Sequence, residues 1–161
     1  MANWCTNIIG FAGSEDAIRQ VQGLITSMET MQRQTGEGQL PEFFKATVGF
    51  IFDPYWDSNT LTYQTKFCPN VEVIKAIADH FGIPVFTHTY EEPGNLIYGE
   101  FYYADGILRD ICLDREDFDL FEENEDGDSW AFEGNVYDSD SEILEILLER
   151  KKLQGAYSII K

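Results

Sequence analysis

Positive charge is scarce in this chain. Its 161 residues hold 11 Lys and Arg against 29 Asp and Glu, for a formal net charge of −18. Affinity for nucleic acid comes from Lys and Arg displacing phosphate counterions, so direct binding of nucleic acid is not expected. Anionic membrane surfaces are disfavoured for the same reason. Histidine is nearly missing, with two residues, and the three cysteines (Cys5, Cys68, Cys112) lack CxxC spacing, so a zinc site is not expected. No apolar run approaches the roughly 18 to 20 residues of a membrane span. The opening "MANWCTNIIG" lacks the basic region of a secretory leader. Together these point to a reduced, cytoplasmic setting.

What is present suits a folded domain. Hydrophobic residues make up 43% and aromatics 14%, far from the composition of a disordered chain. The length fits a single domain, 1–161, read as a core over 1–113 and an acidic extension over 114–161. The charge is uneven. Between Asp110 and Glu142 fourteen acids face one base, Arg115, so thirteen of the eighteen excess negative charges lie there.

Asn3 to Phe11 reads as a strand, followed by a helix that Ser14 caps and whose apolar stripe is Ile18, Val21, Ile25 and Met28. Arg33 to Glu42 reads as a loop. Ala46 to Asp53 alternates Val48, Phe50 and Phe52 and predicts a strand, with "DPYWDSN" as the turn into the next one. That next strand, Asn59 to Phe67, places Leu61, Tyr63, Thr65 and Phe67 on its packed side. Asn70 is expected to cap a second helix, with Val73, Ile74, Ile77, Ala78 and Phe81 inward and Gly82 and Pro84 ending it. Three strands separated by "EEPG" and "ADG" follow as a meander. Beyond the acidic stretch, Ser139 and Glu142 suggest a capping box for a last helix, and "AYSII" an edge strand.

The order β-α-β-β-α-β, then further strands and a helix, is the split βαβ, ferredoxin-like arrangement of an α+β protein. Two helices are expected on one face of an antiparallel sheet. Within Leu61 to Gly106, Tyr90, Glu92, Gly94, Tyr98, Gly99, Glu100 and Gly106 form a spaced pattern, and "NWCTNIIGFAG" precedes it. On these residues the chain resembles the YubB ferredoxin-like domain of phage and plasmid proteins. It departs from that family's Trp-Gly-Thr-Lys-Trp signature, having "PYWDSNTLTYQ" instead. The resemblance implies the fold and a mobile-element origin, and no activity.

Several candidate sites emerge. In "EENEDGDSWAFE", Glu122, Asn124, Asp126, Asp128 and Glu133 match the spacing of a calcium loop, with Gly127 at its sharp turn. Asp126-Gly127 between partly alternating runs signals a hairpin instead, with Trp130 and Phe132 on one anchoring face. A third reading takes Asp114, Glu116, Asp117, Asp119, Glu122, Glu123, Glu125, Asp126, Asp128, Asp138 and Asp140 as one acidic face that imitates DNA for a basic, nucleic-acid-binding host protein. No cofactor is required by it. An enzymatic alternative, a small hydrolase, rests on Cys5 and His88, which neighbouring strands would bring near each other as a nucleophile pair. The adjacent Glu91 and Glu92 should point to opposite sides of a strand.

Overall fold

A computed structural model describes residues 3–161. The first strand, β1 (Trp4–Ala12), leads into α1 (Glu15–Thr35), whose Ser14 hydroxyl accepts from the Ala17 N–H at 3.2 Å. After a long irregular passage come β2 (Phe52–Asp57) and β3 (Thr60–Lys66), α2 (Val71–Phe81), and the meander β4 (Val85–Glu92), β5 (Ile97–Ala104) and β6 (Ile107–Cys112). The C-terminal part holds α3 (Arg115–Phe118), β7 (Glu122–Glu123), β8 (Trp130–Phe132), β9 (Asn135–Tyr137), α4 (Asp140–Leu153) and β10 (Ser158–Ile160).

Seven strands form one antiparallel sheet in the order β10-β6-β5-β4-β1-β3-β2. Its β4-β1-β3-β2 portion is the split βαβ order. Helices α1 and α2 cover one face. There Cys5, Ile9, Phe11, Leu61, Tyr63, Phe86 and Tyr90 pack against the expected stripes of the two helices. On the other face the sheet divides. Trp4 and Ile8 of β1 remain exposed, whereas Tyr98 of β5 and Ile111 of β6 are buried beneath α4. Helix α4 contributes Ile143, Leu144, Leu147 and Leu148, and β8 contributes Phe132. Strands β5 and β6 therefore bury apolar residues on both sides, Phe101, Tyr103 and Leu108 on one and Tyr98 and Ile111 on the other, and the sheet has a helical layer on each.

The segment Ala46 to Asp53 departs from expectation. Residues 46–50 form no strand, Val48 is exposed, and the strand begins at Phe52 and runs through Pro54. Proline is tolerated because β2 is the sheet's edge and its register shifts between Phe52 and Tyr55. The turn is Ser58-Asn59, both at positive φ, the two-residue type that a twisted hairpin prefers. Phe67 likewise leaves the packed face, because φ 71 ends β3 before it. Asn70 sits at the N-cap position without capping. Its amide accepts from the Tyr63 hydroxyl at 2.5 Å and donates to the Gly49 carbonyl at 2.6 Å, tying the irregular passage to the core.

The patterned residues of the meander have structural duties. The Tyr90 hydroxyl crosses Gly99 to donate to Asp110 at 2.9 Å. A Cβ at Gly99 would lie 2.6 Å from the Tyr90 ring and 2.7 Å from the Ile111 carbonyl. Glu92, 2% exposed, accepts from the Gly94 and Asn95 N–H groups at 3.0 and 2.7 Å and so shapes the turn into β5. Gly99→Ala is expected to cost roughly 3 kcal/mol in urea unfolding, because backbone as well as ring must shift. Gly23→Ala, in the exposed middle of α1 with open space around it, should instead gain about 0.5–1 kcal/mol.

Candidate functional site

The acidic stretch folds as a hairpin. The Asn124 N–H donates to the Ser129 carbonyl at 2.8 Å, and the Gly127 N–H to the Asn124 carbonyl at 2.9 Å. Asp126 accepts from the Asp128 N–H at 3.0 Å and the Ser129 hydroxyl at 2.9 Å, which holds its carboxyl below the usual range. Strand β8 then returns as β9 through Glu133 and Gly134, both at positive φ. Phe132 is buried, and Trp130 meets Phe121 edge-on at 5.7 Å, so the hairpin is docked as its aromatics suggest. Phe121 packs into the same cluster, whereas the adjacent Leu120 is 57% exposed.

The calcium-loop spacing does not become a cage. Glu133 forms a two-pronged pair with Arg150 of α4, at 2.6 and 2.8 Å, which lowers its carboxyl pKa. Asp126 is committed to its own turn, and the Asn124 amide donates to the Ser129 hydroxyl at 2.9 Å. A strand, not a helix, follows Glu133. Among the described residues, no three His, Cys, Asp or Glu side chains gather as a metal-binding set.

The expected acidic face divides into two classes. Lys151 pairs with Asp114 at 2.8 Å and Asp117 at 2.6 Å, so these two are partly neutralised. They also cap α3 reciprocally, a capping box in which "DREDF" places Asp117 three residues after Asp114, with Asp where Glu or Gln is the usual signal. Lys152 reaches Glu100 and Glu149. Glu116, Asp119, Glu122, Glu123, Glu125, Asp126, Asp128, Asp138 and Asp140 have no cationic partner among the described residues.

Some of these unpaired acids border a cleft of about 380 Å³ between the 93–97 turn, α3, the hairpin and the start of α4. Its rim carries Glu91, Asp119, Glu122, Glu123 and Asp140, and no base among the described residues lines it. Phe118, Phe121 and Trp130 supply aromatic wall. Glu91 is half-buried, and burial together with the nearby Asp140 raises its carboxyl pKa. Glu91 and Glu92 do diverge, one to this cleft and the other into the opposite face. The cleft itself was not visible in sequence, because Glu91 and Asp140 are 49 residues apart and meet only through the docking of α4.

Cys5 and His88 share a face without converging. His88 opposes Ile9 in the β1–β4 register, four residues along from Cys5. Asn7 intervenes: its Oδ1 meets His88 Nε2 at 2.8 Å while its amide donates to the Cys5 carbonyl and Thr65 hydroxyl, each at 2.9 Å. The amide's two donors are thus spent, so His88 Nε2–H must be the donor to Oδ1. Its Nδ1 is left a buried acceptor with no partner among the described residues. Burial pushes the Cys5 thiol up to about 11 and the His88 imidazole down to about 3. Neither is in the form a nucleophile pair needs.

Residues 44–133, more than half of the chain, match the family described as the ferredoxin-like domain in Api92-like protein. The chain belongs to that family. The match runs from the irregular passage before β2 to the end of the acidic hairpin, so the hairpin lies within the family's span. No curated protein and no solved structure matches it.

Two outcomes are expected. Calcium titrated to millimolar concentration should give no saturable change in tryptophan fluorescence; a saturable change abolished by Glu133→Gln would restore the cage. The His88 folded pKa lies below its unfolded value, so the unfolded chain takes the proton first as pH falls. Its contribution should be intact above about pH 6.5 and lost progressively toward pH 3. His88→Gln should flatten the dependence of unfolding free energy on pH between 6.5 and 4, whatever it costs at neutral pH. Equal slopes for both proteins would contradict this.

Proposed function

We propose that this is a non-enzymatic interaction protein whose C-terminal acidic face engages a basic, nucleic-acid-binding protein in the manner of a DNA mimic. The observation carrying this is that nine carboxylates of the segment stand without cationic partners among the described residues, on a docked unit. Meanwhile Arg150, Lys151 and Lys152 are spent holding that unit to the sheet and α3. A surface selected only for solubility has no need of a fixed platform; a surface complementary to a basic groove does. The resemblance to phage and plasmid proteins supports a mobile-element origin, where disarming a host DNA-binding protein is a recurrent need.

Affinity capture from a host lysate tests this reading. Retained proteins should be DNA-binding, released by duplex DNA and by moderate salt. They should be lost when Glu122, Glu123, Glu125 and Asp128 are changed to Gln or Asn. Retention indifferent to salt, DNA and these substitutions contradicts it.

A further inference from the structure

We propose that the cleft between the 93–97 turn and the acidic hairpin receives one arginine side chain of the basic partner, an assignment that rests on the acidic-face reading above. Phe118, Phe121 and Trp130 line one side, with Phe118 and Phe121 ring centres 6.4 Å apart and Phe121 and Trp130 5.7 Å apart. All three are only partly buried, so ring surface faces the space. Glu91 and Asp140 come from different elements, β4 and the first turn of α4, yet border the same opening. Among the described residues, neither carboxylate has a hydrogen-bonded or ionic side-chain partner.

A half-buried carboxylate beside a second one is an unfavourable arrangement in the free protein, and burial and Asp140 both disfavour ionised Glu91. A cation entering the cleft relieves both effects. Arginine fits this chemistry better than lysine. Its guanidinium is planar, stacks on aromatic faces, sheds water more readily than an ammonium, and forms paired hydrogen bonds with carboxylates. Its aliphatic stem would lie along Leu96 and Leu144, which also line the space. A magnesium- or calcium-like ion is the poorer occupant, because the aromatic wall offers no oxygen ligands. The exposed carboxylates of the hairpin tip would then supply long-range attraction, and the cleft the local choice of side chain.

The test compares two acetylated, amidated peptides, KKKKK and KKRKK, with the intact protein by titration calorimetry at low salt. The wild-type protein should bind the arginine-containing peptide about tenfold more tightly, as one desolvated cation–π and paired-carboxylate contact allows. In Glu91→Gln/Asp140→Asn this preference should vanish. In Glu125→Gln/Asp128→Asn, which removes equal charge from the tip, it should persist while both affinities fall together. The Trp130 indole resonance should shift with KKRKK and little with KKKKK. Salt-sensitive binding of both peptides with no arginine preference overturns the cleft and leaves the acidic-face reading standing. A preference that the two double variants reduce equally overturns it as well. No salt-sensitive binding of either peptide overturns both.

Discussion

The C-terminal third depends on one contact, the burial of the second face of β5 and β6 beneath α4. Tyr98 and Ile111 present that face, and Ile143, Leu144, Leu147 and Leu148 close over it. Each such side chain contributes about 1.5–3 kcal/mol on full burial. That apolar layer must outweigh the mutual repulsion of a segment carrying fourteen acids and one base. It does so with help from Arg150, Lys151 and Lys152, which sit where α4 ends and reach back to Glu133, Asp114, Asp117 and Glu100. The same three bases also complement the helix dipole.

Two kinds of constraint then separate along the chain. The patterned meander residues serve the fold: Gly99 makes room for Tyr90 to reach Asp110, and Glu92 is consumed by the turn at Gly94 and Asn95. The buried polar chain of His88, Asn7 and Thr65 links β4, β1 and β3 at the centre of the sheet, where burial keeps Cys5 a protonated thiol. Charge without internal partners accumulates elsewhere, on the hairpin and the cleft rim. The division places the patterned structural residues in the split βαβ core and most of the charge without cationic partners, among the described residues, on the acidic unit docked on it.

The sequence made much of the core legible, because helical stripes such as Ile18-Val21-Ile25-Met28 and alternation such as Leu61-Tyr63-Thr65 repeat the period of the element they build. Asp126-Gly127 and the Trp130-Phe132 pair were equally informative about the hairpin. What misled was alternation without burial. Val48, Phe50 and Phe52 have a strand's spacing, yet the edge tolerates Pro54 and the chain pairs several residues later. The cleft was illegible for a different reason: it joins side chains from β4, α3, β7, β8 and α4, and only long-range docking brings them together. Net charge also concealed which acids are spent. Asp114, Asp117 and Glu133 look like their neighbours in sequence but are held by α4.

On the proposed reading, the carboxylates without cationic partners among the described residues are kept for a partner at some expense to the fold. Melting temperature at low and high ionic strength measures this most directly, comparing the protein with a variant whose Glu122, Glu123, Glu125 and Asp128 are Gln or Asn. The variant should melt higher at low salt, and the gap should close as salt screens the repulsion. A variant that melts lower than the protein at low salt would show that these carboxylates stabilise the fold and are not held for a partner at its expense.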